Sequence, residues 1–225
     1  MKTIPSTRRT KVNRLPKRAS YDRKTIYKIL DSSFVCNIGF NIEGQVYITP
    51  TAFGRKDDKV YFHGSNKSRM LQSIKEGKDI CISVTLVDGI VLARSAFHHS
   101  INYRSVIIFG KPEEIKDADE KSRTLEIIMH QILPGRWDDV RKPSGKELDI
   151  TSVFSLKINE ASAKIRTGMP ADDKEDLNLN MWSGIIPLNI TAAKPVNNID
   201  LKDNIPLPDY VKKYCSCMNE NKLSI

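Results

Sequence analysis

Histidine and cysteine are both scarce in this chain, at four of each among 225 residues. Four scattered cysteines build no disulfide framework in a chain this long, which excludes the small stapled folds and fits a reducing compartment. Cys36 and Cys81 lie in apolar strand-like runs and read as buried thiols. Cys215 and Cys217 form a single C-x-C that lacks a second ligand pair, so it reads as solvent-exposed rather than metal-binding. Long apolar runs are also missing: none approaches the roughly 18 residues of a membrane span. The start, "MKTIPSTRRTKVNRLPKR", has no apolar core of a secretory signal. A cytoplasmic location without a membrane is the expectation. The basic, Ser- and Thr-rich start also admits organelle targeting, against which its prolines weigh. No G-x-x-x-x-G-K-[ST] loop and no G-x-S-x-G elbow occur, so a P-loop and a strained nucleophilic serine have no support.

The charge that is present is unevenly placed. The net charge is +9, yet residues 1–30 hold ten Lys and Arg against one acid, Asp22. The other 195 residues hold 26 of each sign. Residues 1–20 therefore form a basic extended arm, broken by Pro5 and Pro16, on a neutral body. An arm of this kind can touch phosphate, but a neutral body without aromatic–basic interleaving makes nucleic-acid binding the weaker reading.

The body alternates turn signals with short β-type runs at 34–40, 45–53, 59–64, 79–87 and 103–110. Residues 152–168 read as two strands or one bent strand, and 181–190 as the last apolar segment. Helices are predicted from Asp22 to Asp31, from Ser65 to Glu76 and from Asp117 to Leu133, the last stopped by Pro134-Gly135. Asp88-Gly89 reads as a turn. The fold class is α+β: an antiparallel sheet, closed or nearly so, with helices laid outside it. The domain is placed at 21–190, followed by a tail over 191–225 that packs on the barrel or extends from it.

Two segments carry chemistry-bearing residues. In "YFHGSNKSRML" a strand ends at His63, Gly64 permits close approach, and Ser65, Lys67, Ser68 and Arg69 crowd a predicted helix start. Free N–H groups, a cation and hydroxyls are what a phosphate monoester needs, although a solvated helix cap explains the same residues. In "ARSAFHHSINYRS" (93–105) two adjacent histidines stand between Arg94 and Arg104. On an extended strand His98 and His99 point to opposite faces, so they cannot share a metal. Parity with Arg104 favours His98 as the pocket residue, unless the segment is an irregular loop.

These segments, with "GQVYITPTAFGR", "VTLVDGIVLARSAFHHSINYRSVIIFG", "PGRWDDVR", "NEASAKIRTGMPADDKED" and "WSGIIPL", resemble the pyridoxamine 5′-phosphate oxidase-like superfamily over roughly residues 18–190. The branch they resemble is that of the flavin-nucleotide-binding proteins related to nitroimidazole-resistance reductases. The resemblance implies an FMN-binding split β-barrel of Greek-key type, a homodimer with flavin at the interface, and an oxidoreductase acting on a small-molecule substrate with NAD(P)H as electron donor. It implies flavin contacts from Pro50, Thr51, His63, Gly64, Ser65, Arg104, Ser105 and Trp182. Phosphate would fall to Lys67, Ser68 and Arg69, and His98 and Tyr103 would be substrate-facing donors. A non-catalytic flavin or haem carrier shares the fold and is the alternative. Two departures stand out. Ile185-Ile186-Pro187 replaces the His and Arg that hold pyridoxal in the oxidases, which argues against vitamin B6 oxidation. Asn37 replaces the branch's usual histidine, and an amide cannot shuttle a proton near neutral pH.

Overall fold

The computed structural model describes residues 2–220. Its elements run β1 (Ala19–Ser20), α1 (Arg23–Asp31), β2 (Val35–Ile42), β3 (Gln45–Lys56), β4 (Lys59–Ser65), α2 (Arg69–Lys75), β5 (Ile80–Leu92), β6 (Ser100–Gly110), β7 (Glu113–Ile115) and α3 (Ala118–Ile132). They continue with α4 (Gly145–Asp149), β8 (Thr151–Lys157), β9 (Ala161–Arg166), β10 (Gly184–Pro187) and α5 (Asp209–Glu220). Helix starts follow local chemistry. Asp22 accepts the Thr25 N–H at 2.8 Å to cap α1, and Asp117 accepts the Glu120 N–H at 2.8 Å to cap α3.

All pairings are antiparallel, and the strand order is β1-β9-β6-β5-β2-β3-β4-β8-β7, with β10 added to β5. Strands β2, β3 and β4 form a meander and β5 returns beside β2, which is the Greek-key arrangement. The first part of β3 pairs with β2 and its last four residues pair with β4. One twelve-residue strand thus belongs to both halves of the sheet and turns the corner between them. The core fills the space so enclosed: Ile38, Phe53, Phe62, Ile82, Ile108 and Phe154 are all buried, with the Phe62 and Phe154 rings stacked at 5.7 Å. Helices α1 and α2 add Ile26, Leu30, Leu71 and Ile74 to it.

Three features differ from the sequence expectation. Asp88-Gly89 is no turn: β5 runs on to Leu92 through a bulge between Val87 and Gly89. The extra residue kinks the strand without ending it, because Gly89 also pairs with Pro187 of β10. Helix α2 begins at Arg69, not Ser65, since β4 pairs with β8 out to Ser65 opposite Thr151. The basic arm lies against the barrel. Ile4 is buried, and Arg9 pairs with both Asp79 and Glu160 while sitting 5.1 Å over the Phe109 ring.

Gly54 sits where β3 turns the corner, beneath the backbone of α3. A Cβ there would meet the Ile127 carbonyl oxygen at 2.8 Å and the Ile128 Cα at 2.9 Å. Backbone cannot rotate away as a side chain can. Gly54→Ala is expected to lower stability by about 1–3 kcal/mol, read as a lower urea midpoint. Gly39→Ala, whose nearest contact would be an ordinary 3.6 Å, is expected to shift it by less than about 1 kcal/mol.

Candidate functional site

Strand alternation and register assemble one outer face of the sheet from residues distant in sequence. Directly opposite partners share a face, so Pro50, Asn37, Ser83, Ile107 and Ser162 form one row across five strands. Thr85, Ser105 and Lys164 form a second row, and Val87, Tyr103 and Arg166 a third. Val46 and Ile48 extend the apolar part of this face and are 64% and 70% exposed. Asn37, the residue in place of the expected histidine, stands near its centre.

The register divides the residue pairs that sequence reasoning took together. Pro50 is exposed on the outer face, whereas Thr51 pairs with buried Cys36 on the other side. Ser105 is on the outer face, its hydroxyl donating to the Lys164 carbonyl at 3.2 Å. Arg104 points the other way and forms a two-pronged pair with Asp88 at 2.9 and 2.7 Å. That carboxylate holds the guanidinium above its ordinary pKa. Arg104 and Ser105 therefore cannot make one side-chain contact together. His63 and Gly64 diverge likewise. Gly64 faces the Leu71 side chain, and His63 is half-buried with an unpartnered Nδ1. Burial pushes His63 below its ordinary pKa and so favours the neutral imidazole.

The loop from Ser65 to Ser68 is a tight turn, with the Ser68 N–H donating to the Ser65 carbonyl at 2.9 Å. Lys67 and Arg69 are exposed, and the Ser68 side chain makes no capping bond to the seven-residue α2. Arg69 lies 4.4 Å over the Tyr47 ring, which fixes its guanidinium beside the turn. A guanidinium, an ammonium and two hydroxyls thus lie on one short turn, and neither cation has an acidic partner among the described residues. Trp182 is 65% exposed, and its ring lies against Gly184, where a Cβ would be only 2.8 Å from Cζ2. The W-x-G spacing is explained by that contact.

The histidine segment is an irregular loop closed by a short turn over Ala96–His98, so strand parity does not govern it. His98 Nε2 lies 3.1 Å from the Asp173 carboxylate, and its ring meets Phe97 edge-on. His99 Nδ1 lies 2.9 Å from the Ser95 carbonyl, which can only accept, so Nδ1 carries a proton and donates it there. The Tyr103 hydroxyl has no hydrogen-bond partner among the described residues. Sequence reasoning missed what pins this loop down. The Arg94 N–H and Nη1 both donate to the nearly buried Asp172, each at 2.7 Å. The adjacent acids of "MPADD" were the available signal, but nothing in the sequence said which basic residue they meet. Among the described residues no three His, Cys, Asp or Glu side chains cluster as a metal site, and no helix is long and apolar enough to cross a membrane.

The Asp172 clasp has a pH signature. The Arg94 backbone N–H, and after it the guanidinium, hold this carboxyl below its ordinary range. Its contribution is present above the ordinary carboxylate range and is lost as pH falls through the lower folded value. Asp172→Ala is expected to make residues 93–99 and 169–180 sensitive to limited proteolysis at neutral pH. The unchanged chain reaches that state only in acid. Equal resistance of the two proteins would show that the clasp does not hold the loop.

Comparison with known proteins adds the following. A family model described as pyridoxamine 5′-phosphate oxidase matches residues 22–165. No curated protein matches. Among solved structures, a flavocytochrome from Azotobacter vinelandii is 38% identical, with a TM-score of 0.88 over 93% of this chain and 98% of that one. An FAD- and haem-binding protein from Mycobacterium smegmatis is 33% identical, with a TM-score of 0.84 over 87% of this chain and 96% of that one. A protein assigned to 5-nitroimidazole antibiotic resistance in Bacteroides thetaiotaomicron shares the fold at 24% identity, with a TM-score of 0.56 over 65% of this chain and 86% of that one.

Proposed function

The chain belongs to the pyridoxamine 5′-phosphate oxidase family, and from that membership we propose a homodimeric electron-transfer flavoprotein that binds flavin and haem. The observation that carries this reading is the extent of the likeness to the flavocytochrome. It covers 93% of the chain, whereas the family model ends at residue 165. The likeness therefore takes in most of the chain beyond residue 165 as well. The FMN first expected widens to flavin. FAD is the form favoured here, because the mycobacterial relative binds it together with haem.

The residues present fit such groups. Lys67 and Arg69 supply positive charge, and Ser65 and Ser68 hydroxyls, for a flavin phosphate, on a turn fixed by its own backbone. The outer face with Pro50, Asn37, Ser83 and Ser105 offers a flat surface with neutral donors for a ring. Its exposed Val46 and Ile48 favour a second copy of the chain as the cover. Trp182 supplies an exposed aromatic wall. For haem, His99 has the arrangement of a ligating imidazole: one nitrogen fixed by a carbonyl, the other free. Phe97, 89% exposed beside it in sequence, offers apolar surface to a porphyrin. Bound flavin exchanges two electrons and haem one, so the pair can divide an electron pair. The chain's own work is to hold the two and keep water out. Tyr103, with its free hydroxyl on the outer face, is a proton donor to a substrate there. His98 acts as a positioning residue through Asp173.

The purified protein is expected to show both a flavin band and an intense Soret band. Acid release is expected to yield FAD, and NADH or NADPH to bleach the flavin if either is the donor. His99→Ala is expected to lose the Soret band and keep the flavin. Colourless protein that takes up neither group from solution would overturn the reading. A flavin band alone would confine it to the flavin half.

A further inference from the structure

Arg166 ends β9, is 8% exposed, and carries a full positive charge at any physiological pH. Its Nη1 donates to the Asn102 side-chain oxygen and to the Gly168 carbonyl, the latter at 3.3 Å. Both acceptors are neutral. Four other arginines held in place are neutralised, Arg55 by Asp31, Arg94 by Asp172, Arg104 by Asp88, and Arg9 by Asp79 and Glu160, whereas the less buried Arg23 is held by the Tyr27 hydroxyl and the Ile158 carbonyl. Arg166 is more buried than any of these, yet no carboxylate reaches it among the described residues. Burying a charge without a counter-charge is strongly unfavourable. The surroundings make it worse. Burial, and after it the nearby Arg18, push the Arg166 guanidinium below its ordinary pKa, and Arg18 precedes Ala19, which pairs with Lys164. Lys164 shares its strand face two residues earlier and has no acidic partner either. Opposite these two in the register are Tyr103 and Ser105 of the outer face.

We infer that Arg166, with Arg18 and Lys164, forms an oxyanion-binding site at the edge of the outer face, which takes the anionic tail of a bound cofactor. This rests on the reading above for the cofactor, but the site itself does not. An oxyanion would supply the missing counter-charge, accept from a guanidinium already fixed by Asn102, and lie within reach of the Tyr103 hydroxyl. Haem propionates and the second phosphate of FAD offer the same chemistry.

The first measurement uses inorganic phosphate as the probe, against chloride at equal ionic strength. Phosphate is expected to raise the melting temperature of the unchanged protein, and to raise that of Arg166→Gln by less, the remainder falling to the turn at Lys67, Ser68 and Arg69. No phosphate effect on the unchanged protein, or an equal effect on both, would overturn the site. So would an Arg166→Gln protein that has merely fallen from dimer to monomer, which would assign the charge to a subunit ion pair. If Arg166→Gln does not fold, Lys164→Gln and Arg18→Gln are expected to weaken the phosphate effect stepwise, and an undiminished effect overturns the site. The second measurement names the source. The unchanged protein is expected to favour FAD over FMN, or haem over its dimethyl ester, by about tenfold, and Arg166→Gln to lose one of these preferences. Loss of the first marks the flavin phosphate, loss of the second the propionates, and loss of neither overturns the cofactor assignment. Phosphate binding in a protein that takes up no cofactor leaves the site standing and removes the reading of function.

Discussion

The shared strand β3 is the constraint on which the rest of this molecule depends. Its first eight residues lie against β2 and its last four against β4, so the two halves of the sheet are joined by unbroken backbone. The corner works only because Gly54 has no side chain and α3 can lie directly upon it. With the corner fixed, β4 is fixed, and with β4 the turn that presents Lys67, Ser68 and Arg69. With β2 fixed, the row from Pro50 through Asn37 to Ile107 follows from register alone. The candidate flavin elements therefore lie on both sides of one bend in one strand.

The second layer of order is electrostatic, and it is spent where regular structure is interrupted. Arg94 with Asp172 joins two loops, Arg9 with its two acids ties the arm to the sheet, and Arg104 with Asp88 holds the β5 bulge against β6. The Arg94 and Arg104 pairs are partly shielded from water, where a guanidinium–carboxylate contact has more effect than on an open surface such as that of Arg9. Arg166 departs from this pattern. Among the described residues no carboxylate reaches it, although it is the most buried arginine on the outer face.

Much of the fold was legible in the sequence, and physical reasons mark where legibility stopped. Helix caps at Asp22 and Asp117 and the β-runs with their turns are local signals, so the elements and their α+β class could be read. Asp88-Gly89 misled because a bulge and a turn use the same residues, and only the partner strand β10 decides between them. The face on which each site residue lies was legible within a strand but not across the corner or in the histidine loop. Alternation separates Arg104 from Ser105 once β6 is known to be regular there. It says nothing of His98 and His99, which an Asp173 side chain and a Ser95 carbonyl orient instead. Arg166 was invisible for a different reason: what distinguishes it is the absence of an acid in space, and sequence distance carries no such information.

The basic arm has a mechanical meaning that its composition hides. The Thr3–Asp22 bridge, the buried Ile4 and the Arg9 clamp lie in series along the first ten residues. Tension applied at the N-terminus would load them one after another, like stitches in a seam, before it reached the barrel. Arg9 grips both the residue before β5 and the turn between β8 and β9, so that last stitch spreads the load over two strands of the main sheet. A segment that reads as a loose cationic tether is in effect the barrel's hem.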